Sequence, residues 1–168
     1  AALGTPTAAG PLYDVDTRLR PQGAQGMLAV SLTAFEEYQR HEAWTWEHQA
    51  LVRSRLVYGD DNIAQRFNQI RSEVLAKTRD LAVLKTEVTE MRQKLRQHHG
   101  EQSTEVKHAS GGIVDLEFIS QYLVLAYGSQ YADLYFYSDN IRILDAAAAA
   151  GLLQLEQTQA LQQAYQQL

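Results

Sequence analysis

The chain has 168 residues, 45% hydrophobic and 21% charged, enough for one folded domain with a real core and too apolar for wholesale disorder. Its net charge of −5 excludes a general nucleic-acid or anionic-membrane binder, since both need a basic face. Cysteine is absent, which excludes a disulfide scaffold, a thiolate zinc site and a cysteine nucleophile and fits a cytoplasmic setting. No apolar run is long enough to span a bilayer, and Ala1-Ala2-Leu3-Gly4-Thr5-Pro6 lacks the order of a signal peptide.

All three prolines, Pro6, Pro11 and Pro21, fall at the start. A long proline-free stretch with few glycines reads as helical, because proline breaks helix interiors. A short extended head and a helical body are therefore expected. In the head, Tyr13, Val15, Thr17 and Leu19 alternate with Asp14, Asp16, Arg18 and Arg20, the period of a strand. Pro21-Gln22-Gly23 and Gly26 form a loop, and Met27-Leu28-Ala29-Val30 reads as a second short strand.

Helices follow. Thr33 with Glu36 fits a capping box, opening a helix to Arg40. A second runs from about Ala43 to Tyr58, stopped by Gly59. Asp60 or Asp61 caps a third, to about Ala76, with Ile63, Phe67, Ile70 and Val74 as its apolar stripe. Thr78 or Asp80 opens a fourth, in which Leu81, Leu84, Val88, Met91 and Leu95 make a heptad-spaced seam read as ordinary core packing. Glu101 to Ser110 is polar and reads as a loop. Gly111-Gly112 opens a strongly apolar helix from Ile113 to Tyr127, Ser138 one through Ala150, and a glutamine-rich helix starts near Leu155.

Several residues carry chemistry. On a strand Asp14 and Asp16 point the same way and can hold Mg²⁺, or they can pair with arginines on an exposed face. Arg53 and Arg55 are of the type that suits phosphate, or they are helix-surface charges. Lys107 with Gly111 and Gly112 precedes a helix N-terminus, a favourable place for an anion, though the spacing matches no known phosphate loop. Asp115 and Glu117 lie about 200° apart on a regular helix, so at most one points inward. A buried carboxylate there needs a partner such as an arginine of a neighbouring helix. No His or acidic spacing makes a zinc site.

Three stretches taken together resemble a known family. They are Leu12-Tyr13-Asp14-Val15-Asp16-Thr17-Arg18-Leu19-Arg20-Pro21, then Glu42-Ala43-Trp44-Thr45-Trp46-Glu47-His48-Gln49-Ala50-Leu51-Val52-Arg53, and Gly111-Gly112-Ile113-Val114-Asp115-Leu116-Glu117-Phe118-Ile119. In this order they resemble the bacterial glutamine synthetase adenylyltransferases over nearly the whole chain. Those enzymes have two nucleotidyltransferase halves, one attaching AMP from ATP to a tyrosine of glutamine synthetase and one removing it by phosphorolysis. The Trp-Thr-Trp-Glu-His-Gln stretch resembles the C-terminal, adenylylating half.

The resemblance implies a mainly α fold, a helical bundle preceded by a short β strand or hairpin left over from a nucleotidyltransferase sheet. Residues 1–31 would be the end of the catalytic domain and 32–168 a helical domain. Relatives carry a Gly-Ser loop and an Asp-x-Asp pair upstream, so the isolated chain is expected to be inactive. Asp16 maps onto the third active-site carboxylate and is the expected catalytic and Mg²⁺-binding residue, while Asp14 falls where relatives vary. Arg18, Arg20, Arg53, Arg55 and Lys107 are expected contacts to the phosphates of ATP. The implied partners are glutamine synthetase and the PII signalling protein, with no nucleic acid and no membrane. An alternative reading makes the body a helical regulatory module that binds PII protein or glutamine synthetase.

Overall fold

The computed structural model describes residues 20–99 and 107–167, together with residues 8 and 10. Among them are eight α-helices and no strand. They are α1 (Leu32–His41), α2 (Thr45–Val52), α3 (Asp61–Leu75), α4 (Leu81–His99), α5 (Ile113–Tyr127), α6 (Asp133–Phe136), α7 (Asn140–Ala149) and α8 (Leu155–Gln167). The mainly helical bundle is as expected. The hairpin is not: Met27–Val30 is irregular, with Met27 and Leu28 exposed. Among the described residues no strand lies beside this short apolar run to bond its backbone as a ladder. The other expected strand, Tyr13–Leu19, lies outside the described residues.

Helix α5 is the axis of the bundle, packed on α4, α2, α7, α6 and α8. Its sequence is apolar on most faces, which suits a helix surrounded by others. Leu123, Val124, Leu125 and Ala126 are all buried, in one core with Leu51 and Val52 of α2, Ile70, Val74 and Leu75 of α3, and Leu84 and Val88 of α4. The fourth helix's seam is thus half used: Met91 and Leu95 are partly exposed and Leu81 more so. Gly128 ends α5 against the end of α3. A Cβ there would stand 2.6 Å from Val124 O and 2.9 Å from Leu75 O, so the close approach of the two helices requires glycine.

Local chemistry moved several boundaries. Helix α1 starts two residues earlier than the Thr33 box implies, because the N-cap is Ser31, whose Oγ accepts from Ala34 N at 3.1 Å. Glu36 instead turns to Arg40 and Arg66. Helix α2 stops at Val52, well short of Tyr58. Its last carbonyls are taken: Arg71 donates to Leu51 O (3.1 Å) and to Val52 O, and Ser54 Oγ donates to Leu51 O (2.7 Å). Side-chain donors that capture terminal carbonyls compete with continuation of the helix. Asp60 and Asp80 cap α3 and α4 as expected, through Ile63 N (2.9 Å) and Ala82 N (2.8 Å). Asp139 caps α7 through Arg142 N (3.0 Å), in place of the neighbouring Ser138.

Candidate nucleotide cleft

The turn before α1 aims the first functional side chain. Gln22 and Gly23 both adopt left-handed φ (62° and 55°), and Gly23 N donates to Arg20 O at 2.8 Å. At Gly26 a Cβ would lie 1.9 Å from Pro21 O, so only glycine lets the chain fold back this tightly. Arg20 Nε then donates to Gly26 O at 3.0 Å, fixing the guanidinium beside Pro21. Arg53, the C-cap residue of α2, pairs with Glu117 of α5.

Arg20 and Arg53 meet at a cleft of about 390 Å³ formed by the turn with α1, α2 and α3. Phe35, Phe67 and Trp46 contribute its apolar wall, with the rings of Phe35 and Phe67 6.0 Å apart and inclined by 26°. Gln39 and Glu47 also line it, both buried. The Glu47 carboxylate accepts from Tyr38 OH at 2.9 and 3.0 Å and from Trp44 N at 3.0 Å. Burial is the main cause that raises the Tyr38 hydroxyl above its ordinary range; a bond from the Gln22 backbone opposes it, and the Glu47 carboxylate adds to it. Next to Glu47, His48 Nε2 lies 3.0 Å from Gln39 O, so this nitrogen carries the proton and donates. Such a cleft suits a flat aromatic group on its wall and an anion at its cationic rim.

The other expected phosphate residues are elsewhere. Arg55 is exposed in the segment between α2 and α3, and Lys107 is exposed in the turn before α5, where its carbonyl accepts from Val114 N at 3.2 Å. Asp16 and Arg18 lie outside the described residues. The cleft residues Phe35, Gln39, Trp46 and Phe67 carried no functional signal in the sequence. Each reads as half of a helical stripe, and only packing of three helices brings them to one opening.

The Gly111-Gly112 motif forms a second polar centre. Asp115 accepts from Arg92 Nε, from Arg96 Nη2 at 3.3 Å and from Gly111 N at 2.6 Å. Arg92 also reaches His108 O (3.1 Å). The expected arginine partner of a carboxylate on α5 is thus present, and Glu117 turns the other way to Arg53. Burial pushes the Asp115 carboxyl up, but the bonds from Arg92 and Gly111 and the charges of Arg92 and Arg96 outweigh it and hold it below its ordinary value. Through Nε and Nη2 Arg92 closes the turn before α5 onto α4, while its Nη1 is buried without a hydrogen-bond partner. Among the described residues no three His, Asp or Glu side chains converge on a metal position, and no helix is long and apolar enough to cross a membrane.

Comparison with known families gives the class of this chain. Residues 1–70 match the model of glutamate-ammonia ligase adenylyltransferase, and residues 79–168 match that of GlnD PII-uridylyltransferase. Both are nucleotidyltransferase families. The second match covers more than half of the chain, which therefore belongs to the nucleotidyltransferase-related family of GlnD PII-uridylyltransferase. The resemblance to the adenylyltransferases spans nearly the whole sequence, whereas the match to that family's model ends at residue 70, and the Gly111–Ile119 motif falls in the second segment.

Proposed function

We propose that this chain is the helical wall of an enzyme that transfers AMP from ATP to a tyrosine of glutamine synthetase, in the control of nitrogen assimilation in the cytoplasm. The observation that carries the reading is the cleft that brings Arg20 and Arg53 to one aromatic-lined opening. The match of residues 1–70 to glutamate-ammonia ligase adenylyltransferase supports it. Residues 1–31 would contribute the edge of the catalytic sheet and 32–168 the helical domain.

In this reading the tyrosine hydroxyl loses its proton to solvent as its oxygen bonds to the α-phosphorus of ATP, the bond from that phosphorus to the oxygen bridging to the β-phosphate breaks, and pyrophosphate leaves. Arg20 and Arg53 hold phosphate oxygens and spread the charge that develops on them. Asp16 would hold Mg²⁺, which supplies neutralisation of phosphate charge. Asp16 represents only one carboxylate of the cluster such chemistry uses, so the isolated chain is expected to show no turnover with Mg²⁺-ATP and glutamine synthetase. In the full-length enzyme, Asp16→Ala should abolish AMP transfer and Arg53→Ala should weaken ATP binding about tenfold, the loss of one charge-assisted contact. Unchanged transfer by Asp16→Ala sinks the catalytic assignment.

A second reading, a regulatory module that docks the PII protein or glutamine synthetase, is favoured by the match of residues 79–168 to a PII-uridylyltransferase. Titration of the chain with each purified partner by calorimetry tests it. Heat of binding with either supports docking, and silence with both removes it.

A further inference from the structure

We infer that the groove between the start of α2 and α4 is a docking site for a basic segment of a partner protein, and that an arginine of that segment seats between Trp44 and the carboxylates of Glu87 and Glu90. The groove holds about 460 Å³ and shares only Trp46 with the cleft of Arg20 and Arg53, so the inference does not rest on the nucleotide reading. Trp44 lines it and is 70% exposed. Its backbone is in use as the N-cap of α2: N donates to Glu47, and O accepts from His48 N at 3.1 Å. Its indole is not, since among the described residues no hydrogen bond or cation reaches it. A large ring that the fold leaves in water is the type of side chain that anchors interfaces, and Met91 beside it is half-buried and adaptable.

Charge and spacing say what covers it. Val83, Glu87, Glu90 and Lys94 recur at helical spacing, one stripe along α4. Glu87 accepts from Thr45 Oγ1 at 2.5 Å, and the Glu90 carboxylate has no partner among the described residues. A guanidinium is planar, reaches two carboxylates at once and stacks on indole, so arginine fits these acids and this ring better than a compact ammonium. Lys94 closes one end to a second cation. At the other end the groove runs into an opening of about 270 Å³ that shares Ala43, Thr45 and Glu87 with it and is walled by Val83 and Leu84. Arg79 lines that opening but is turned onto the carbonyls of Val74 and Lys77, at 2.9 Å each, with Asp80 to offset its charge. From Glu90 to Val83 is about 10 Å by the helical rise, the reach of about three extended residues. The site thus has the length for a chain segment, with an apolar residue three places from the arginine. The net charge of −5 favours encounter with a basic partner.

Fluorescence anisotropy with a labelled peptide tests this on the whole chain. The probe is Ala-Leu-Ser-Ala-Arg-Ala-Ser-Leu-Ala, which sets a leucine three places from the arginine in either direction. Its twin carries neutral citrulline in place of the arginine. The arginine peptide should bind at least about tenfold more tightly than the twin, the worth of one charge-assisted contact, and its affinity should fall as salt rises. Glu90→Gln and Trp44→Ala, both at exposed positions, should each weaken it about tenfold, whereas Trp44→Phe, which keeps a ring, should weaken it less. Glu156→Gln, at an exposed acid of α8, should change nothing. The comparison of the two peptides on the unsubstituted chain needs no variant to fold. Equal binding of the twins, or no binding at about 1 mM peptide, overturns the proposal. So does undiminished binding by both Glu90→Gln and Trp44→Ala, which puts the peptide elsewhere. L-arginine amide bound as tightly as the peptide makes this a pocket for a small cation and overturns docking.

Discussion

Asp115 and His48 show how single side chains hold this bundle. Arg92 is 8% exposed, and Asp115 is its carboxylate partner across the α4–α5 contact. Removing one member of a buried pair leaves the other uncompensated. Asp115→Asn should therefore cost about 3 kcal/mol at neutral pH, the low end for such a pair because Asp115 is partly solvated. The Asp115 carboxyl is held below its ordinary 3.8, so its contribution is fully present above that value and is lost as pH falls through the folded pKa. Chemical denaturation of both proteins at pH 7 and pH 3 checks this: the gap should shrink at pH 3, and a constant gap contradicts the charge origin. His48 titrates with the same sign in a higher pH window. Burial lowers its pKa, helped by Arg79 and Lys77 and opposed by the bond to Gln39 O and by Glu47. The unfolded chain then takes up the proton first, so stability is fully present above 6.5 and declines as pH falls below it. The decline between pH 7 and 5.5 should disappear in His48→Gln, which keeps a donor for Gln39 O; parallel curves for the two proteins would remove His48 as the cause.

Among the elements, α2 is the least expected. Three of the residues it buries, Glu47, His48 and Gln49, are polar. Each bonds a residue outside the helix: Tyr38, Gln39 and Gln121, the last accepting from Gln49 Nε2 at 2.9 Å, while Gln49 Oε1 is buried without a partner. Read alone, the stretch looks like a helix continuing to Gly59, since nothing between Arg53 and Tyr58 breaks it. What ends it is Arg71 of α3, whose guanidinium serves Leu51 O and Val52 O together with Tyr135 O and, at 3.2 Å, Tyr137 O. That fork ties α2 and α3 to α6. Lysine keeps the charge but has a single nitrogen, so Arg71→Lys should destabilise by about 2–3 kcal/mol through carbonyls left unpaired. A thermal melt checks it, and a change under about 0.5 kcal/mol, the range of ordinary surface substitutions, would mean that water replaces the fork.

At the scale of the molecule, one core joins the two segments that match different families. Leu51, Val52 and Ile70 from the first pack in the same cluster as Leu84, Leu123 and Leu125 from the second. Residues 1–78 and 79–168 made as separate pieces should each lack a cooperative melt and should regain one when mixed. Two independent sharp transitions would show that the boundary between the family matches is also a structural one. The candidate cleft lies wholly in the first segment, but Arg53 is held by Glu117 of the second, so the intact bundle is needed to shape its rim.

The sequence by itself determined the helical class, and six helices close to their observed spans, because hydrophobic period and capping chemistry at residues such as Asp60, Asp80 and Gly128 are local. It also determined that a carboxylate on α5 needs an arginine from another helix, since burial forbids an unpaired charge. Only the tertiary structure decided which arginine, where α2 stops, and that Arg20 and Arg53 share one opening while Arg55 and Lys107 do not. The groove that Trp44 shares with Glu87 and Glu90 likewise exists only in the packed molecule. Each of these rests on a contact between residues far apart in the chain, and local spacing carries no record of which distant group will fill a donor or acceptor once the helices close on one another.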